Sequence, residues 1–140
     1  MTTDAPKRRS TCPFALDLRS GVPIYRQIMD QVVGSIATGA LVVGDQLPTV
    51  RQLAVDLAIN PNTVIRAYRE LELQGVLETQ QGTGTFISRQ KTGLNGGERQ
   101  RRLAQLAGEF AARAGSEGMT VDELIRQLQD LQKDAGKRRG

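Results

Sequence analysis

Ile24, Ile28, Val32 and Ile36 recur every four residues, with Tyr25, Met29 and Val33 beside them. That spacing predicts an amphipathic helix with these side chains turned inward. Pro23 suits the start, where an N–H has no intrahelical partner, and Gly39 suits the end, where a left-handed cap costs glycine nothing. The segment from Gly39 to Pro48 sets two glycines and a proline among apolar residues and reads as a loop with a buried edge. Thr49 is a good N-cap, and Val50, Leu53, Ala54 and Leu57 predict a short second helix over 50–57. A third helix follows at once. Asn60 caps it, Pro61 opens it, Val64, Ala67, Tyr68 and Leu71 form its inward stripe, and Gly75 stops it.

Beyond Gly75 the period changes. Val76 to Gln81 and Thr85 to Ser88 are short β-type runs on either side of Gly82-Thr83-Gly84, a hairpin with a glycine tip. Residues 91–97 hold three glycines and read as a linker. Leu103, Leu106, Ala107, Phe110 and Ala114 then mark a fourth helix, and Thr120 with Glu123 forms a capping box ahead of Val121, Leu124, Ile125, Leu128 and Leu131. Upstream, Phe14, Leu16 and Leu18 alternate as a short edge strand would, and the rest of 1–20 reads as a mobile arm. The expected organisation is an arm over 1–20, a domain over 21–90, a linker over 91–97, a helical hairpin over 98–134 and a basic tail over 135–140. The fold class is α+β, mostly α.

Composition narrows the chemistry. The 140 residues contain no histidine and one cysteine, Cys12, which removes Ser-His-Asp and Cys-His triads, histidine-based zinc sites and internal disulfides. An enzyme has no residue set to stand on, and neither a metal nor a cofactor is expected. Cys12 reads as an incidental thiol rather than a redox sensor, because nothing nearby would lower its pKa. Aromatic residues make up 4%, so the core must come from Leu, Ile, Val and Ala. The net charge of +4 points to a polyanionic partner without demanding one, since up to residue 90 there are 9 basic and 8 acidic residues, and beyond it 10 and 7. Placement must therefore carry the argument. No apolar run is long enough to span a membrane, and Met1 to Thr11 lacks the apolar stretch of a secretory signal, so the cytoplasm is the default compartment.

Two short helices joined tightly, with a helix ahead and a glycine-tipped hairpin behind, follow the order of a winged helix-turn-helix. The second helix of such a pair fits the major groove of DNA and offers its first residues to base edges and phosphates. Here its outward face is Asn62, Thr63, Arg66 and Arg69. From Pro23 to Ser88 the chain resembles the GntR family of bacterial transcription regulators. The resemblance runs through Pro23-Ile24-Tyr25, Gly39-Ala40-Leu41, the stretch Gly44 to Ala54, Asn60 to Val64, Arg66 to Leu71, and Gly82 to Phe86. The short helical remainder is similar to the YtrA-type subfamily, whose C-terminal part is a small dimerisation hairpin.

The resemblance implies contacts with double-stranded operator DNA. Arg51 corresponds to an arginine that enters the major groove beside the recognition helix, and Thr49 to a helix-start phosphate contact. Asn60, Asn62, Thr63 and Arg66 fall at or on the recognition helix, and Gln81, Gly82 and Thr83 at the wing tip. Ile65 stands where some relatives place arginine. Thr49 and Asn60 serve equally well as plain N-caps, and Arg69, followed by Glu70 and Glu72, reads as well as a solvated face. Gly82 and Gly84 lack the third glycine and following helix of a dinucleotide loop. Tyr68 continues the inward stripe and reads as core rather than a stacking platform. Leu103, Leu106, Phe110, Leu124, Ile125, Leu128 and Leu131 present more apolar surface than two helices can cover, which points to a homodimer; a monomer with a docked hairpin is the alternative. The function implied is a homodimeric repressor of its own operon and of transporter genes, with a protein-interaction module as the other reading. The identity of any small-molecule effector is not readable.

Overall fold

A computed structural model describes residues 14–89 and 94–139. Cys12, most of the expected arm and the start of the expected linker lie outside them. The chain forms α1 (Ile24–Thr38), α2 (Val50–Leu57), α3 (Pro61–Leu73), β1 (Leu77–Gln80), β2 (Gly84–Ile87), α4 (Gly96–Ser116) and α5 (Val121–Arg139). These divide into two compact units, residues 1–90 with 135–140, and residues 91–134.

In the first unit, or head, α1, α2 and α3 converge on one core. Ile28, Val32, Val64, Ala67 and Leu71 are fully buried there, joined by Leu41, Leu47, Leu53 and Tyr68. Each such Ile, Val or Leu side chain contributes about 1.5–3 kcal/mol on burial. Val33, expected on the inward side of α1, points outward instead, because a helical stripe centred on Ile28 and Val32 leaves it at the margin. Gly39 ends α1 in the left-handed region at φ 88°, its N–H donating to Ile36 O at 3.2 Å. Thr49 Oγ1 accepts from the Gln52 N–H at 3.0 Å, and Asn60 Oδ1 from the Asn62 N–H at 2.8 Å. Both caps satisfy amides that a helix start leaves without partners.

The hairpin pairs β1 antiparallel to β2, with Leu77 opposite Ile87 and Gln80 opposite Gly84. Leu77, Phe86 and Ile87 are buried, while Glu78 to Gln80 face solvent. The loop before α2 adds a partial third strand. Gly44 N–H donates to Ile87 O, Ile87 N–H to Asp45 O, and Leu47 N–H to Thr85 O, each at 2.9 Å. Leu41, Asp45 and Leu47 are buried in that loop, which gives it the buried edge its sequence suggests.

Phe14 to Leu18 form no strand. Their alternation reflects packing, with Phe14 and Leu16 against the core and Leu18 82% exposed. Two glutamines of α1 replace the ladder. The Gln31 amide accepts from Ala15 N–H at 2.8 Å and donates to Ala15 O at 2.6 Å, while Gln27 accepts from Asp17 N–H at 2.8 Å and donates to Asp17 O and Val22 O, each at 2.9 Å. The expected mobile arm is thus clamped from Ala15 onward.

In the second unit Asn95 caps α4 and Thr120 caps α5, accepting from the Glu123 N–H at 3.1 Å. The two helices diverge, since no Cα of α4 lies within 8 Å of a Cα of α5. Leu103, Leu106, Phe110, Ile125, Leu128 and Leu131 are each 45–57% exposed, and Leu124 is half-buried. The basic stretch expected as a tail is helical, because α5 runs on to Arg139. Lys137, Arg138 and Arg139 sit in its last turn, where the helix dipole favours cations. No helix among the described residues is long and apolar enough to cross a membrane.

Candidate nucleic-acid interface

Three structural devices position the expected site residues. The first is the tight turn joining α2 to α3. Ala58 adopts a left-handed conformation at φ 54° and its N–H donates to Val55 O, after which Ile59 N–H returns to Ala54 O at 3.0 Å. The second is Tyr68, buried as its stripe requires, whose hydroxyl donates to Pro48 O at 2.7 Å. This bond ties the middle of α3 to the residue before Thr49, so the start of α2 is fixed against the body of α3. The third is Gln46, whose amide donates to Thr83 O at the wing tip at 3.1 Å.

Arg51, Asn62, Arg66 and Arg69 are exposed and Thr63 is half-buried. Asn62 and Arg66 are four residues apart and share the face of α3 opposite Val64, Ala67 and Leu71. Among the described residues the ion pairs are Arg26 with Asp30 and Arg139 with Asp45, so Arg51, Arg66 and Arg69 keep their donors for an outside acceptor. Thr49 and Asn60 are engaged as caps through their side-chain oxygens, which leaves the Thr49 O–H and the Asn60 amide N–H groups to donate outward. Gln81, Gly82 and Thr83 are exposed at the wing tip, where Gly82 sits at φ 77° and Gly84 at φ 140°. A Cβ on Gly84 would collide with the Gln46 amide that holds Thr83.

Two contributors escaped the reading of the sequence. Tyr25, assigned to the apolar stripe of α1, lies under Arg66, with the guanidinium carbon 3.8 Å from the ring centroid. Gln46 carried no signal beyond its place in the loop before Pro48. The arrangement offers guanidinium, amide and hydroxyl donors from α2, α3 and the hairpin tip, a set suited to phosphate oxygens and base edges. No cluster of His, Cys, Asp and Glu among the described residues is fit to hold a metal.

The sequence pattern of bacterial regulatory proteins of the gntR family matches residues 24–87, which takes in the helix-turn-helix and the wing. The HTH-type transcriptional repressor YtrA of Bacillus subtilis is 49% identical over 73 residues, 52% of this chain and 56% of that repressor. The HTH-type transcriptional regulator Rv1152 of Mycobacterium tuberculosis is 38% identical over 119 residues, 85% of this chain and 93% of that protein. A crystal structure described as a transcriptional antiterminator from Listeria monocytogenes superposes with a TM-score of 0.62 at 29% identity, covering 88% of this chain and 92% of that one. With a full-length relative of that similarity and a match through its whole winged helix, the chain belongs to the gntR family of bacterial transcriptional regulators.

Proposed function

We propose that the protein is a sequence-specific, homodimeric DNA-binding repressor of the bacterial cytoplasm, acting on an operator of its own operon and of transporter genes. The observation that carries the DNA-binding part is the pair of exposed arginines, Arg51 on α2 and Arg66 on α3, which no carboxylate among the described residues engages. Arg51 reads bases from the first turn of α2. Asn62, Thr63 and Arg66 face the major groove, Thr49 and Asn60 meet phosphates while capping their helices, and Gln81, Gly82 and Thr83 reach the backbone from the wing. The repressor part rests on the name of the Bacillus relative. The dimer part rests on the divergence of α4 and α5, whose apolar side chains stay half-exposed within one chain. A second copy of the same surface covers them and sets two recognition helices on a two-fold operator.

Selection of bound sequences from a random duplex pool, followed by titration across salt concentrations, tests this reading. The expected result is one enriched motif with two related half-sites and affinity that falls steeply with salt, at about −0.9 in log–log slope per neutralised phosphate. Arg51→Ala should cost about 1–3 kcal/mol on the operator and narrow the gap to random DNA. Equal weakening on both duplexes would show that Arg51 touches phosphate alone. Enrichment of nothing, with salt-insensitive association, would point to a protein-interaction module.

A further inference from the structure

Tyr25 is the second residue of α1 and packs partly buried against the core of the head. Its ring is therefore a fixed plate. The Arg66 guanidinium carbon lies over it, 3.8 Å from the ring centroid. A stacked guanidinium loses rotamer freedom, but its five N–H donors lie in its own plane and remain usable at the rim. Two adjacent in-plane donors match the paired acceptors O6 and N7 of guanine, which sit at one fixed place in the groove, whereas the phosphate oxygens that can pair with the same donors recur at every step of the backbone. Holding the plane fixed therefore favours base reading over wandering along the backbone.

We infer that Tyr25 is a positioning residue for Arg66, holding its guanidinium so that Arg66 selects guanine at one operator position. This rests on the DNA-binding reading above. Tyr25 itself touches no base in this scheme; its effect passes through the arginine.

The test uses the full chain with Tyr25→Leu, Tyr25→Phe, Arg66→Ala and the Tyr25→Leu/Arg66→Ala double variant. Each is titrated with the selected operator, with operators changed at single base pairs, and with random duplex. Tyr25→Leu should weaken operator binding about two- to fivefold, the scale of an exposed cation–π contact. It should also lower the preference for guanine at the same base pair that Arg66→Ala affects, and leave random duplex binding unchanged. Tyr25→Phe keeps the aromatic face and should behave as the wild type. In the Arg66→Ala background Tyr25→Leu should add no further loss.

A loss that persists in that background, or that appears equally on random duplex, would show Tyr25 acting through the fold or on phosphate, and would overturn the inference. So would a Tyr25→Phe variant as weak as Tyr25→Leu, since the hydroxyl would then be the contact. A wild-type chain that selects no operator removes the DNA-binding reading as well. A clear operator with an unaltered Tyr25→Leu removes this inference alone.

Discussion

Leu71 in α3 and Leu128 in α5 occupy the same kind of position, each on an apolar stripe at helical spacing, yet Leu71 is 0% and Leu128 53% exposed. Periodicity is equal in the two regions; the surroundings differ. In the head the chain turns back on itself three times, so α1, α2, α3 and the hairpin bring their stripes to one core. In the second unit two long helices diverge from a single turn, and among the described residues no further helix or strand of that unit covers them. A helical stripe thus specifies that a face is to be buried, not which chain buries it. The number of elements that return to that face decides it.

The largest effect should come from making the exposed stripe unburiable. Leu128→Asp should leave the far-UV spectrum of the head intact but convert a sedimenting dimer into a monomer, because a carboxylate in an apolar seam has no partner. Operator affinity should fall about 10²- to 10⁴-fold, since the second half-site is no longer tethered to the first. A Leu128→Asp protein that still sediments as a dimer would place the seam elsewhere and undo the contrast between the two leucines.

Next is the same deletion made in each region. Leu71→Ala should cost about 2–5 kcal/mol in denaturant unfolding, independent of protein concentration, because it opens a cavity in a closed core. Leu131→Ala, at a side chain already 47% exposed, should show its effect as a weaker dimer and only at low concentration. Equal, concentration-independent losses at both sites would mean that the second unit is buried within its own chain.

Much of this contrast was legible in the sequence. Thr49 ahead of Val50 to Leu57, and Asn60-Pro61 ahead of Val64 to Leu71, placed α2 and the start of α3 because caps and proline act through the nearest backbone amides. The glycines at 82 and 84 placed the hairpin, since few other residues accept those torsions. What escaped was every contact that needs two distant segments to meet. Gln27 and Gln31 look like solvated positions of α1 until the chain from Phe14 passes beside them, and Tyr25 looks like stripe until α3 lays Arg66 across it. The alternation of Phe14, Leu16 and Leu18 suggested a strand because period two is also what an extended, side-clamped segment shows. At the candidate site, the residue types on α3 and the wing were readable and Tyr68 was readable as core, whereas the contacts of Tyr25 with Arg66, of Gln46 with Thr83 and of Tyr68 with Pro48 become evident only in three dimensions.

The boundary between the two regions can itself be tested. Arg139 Nη1 donates to Asp45 Oδ2 at 2.6 Å and to Ala40 O at 2.9 Å, and the hydrogen bond with Asp45 raises the guanidinium pKa further above its ordinary range. The last turn of α5 thus belongs to the head by its bonds, keeping its charge at every accessible pH. Arg139→Ala leaves Asp45, whose side chain is 10% exposed, with the Val42 N–H as a remaining donor. Thermal unfolding of the head should show a loss of about 1–3 kcal/mol. No change would assign the whole of α5 to the second unit.

The smallest expected effect concerns the turn that makes the head compact. Ala58 caps α2 with φ 54° and ψ 48°, the one non-glycine residue at positive φ among the described residues. A Cβ in that conformation crowds the following carbonyl, at a cost of about 1–2 kcal/mol, while glycine adopts it freely. Glycine also adds freedom to the unfolded chain, which returns part of the gain. The side chain is exposed, so Ala58→Gly removes no core contact. The net expectation is a head more stable by about 0.5–1 kcal/mol in denaturant titration, with the dimer constant unchanged because the second unit is untouched. A destabilised head would show that the turn relaxes without strain in solution. A shift in the dimer constant would show that the two regions do not respond independently, and the contrast between Leu71 and Leu128 would have to be redrawn.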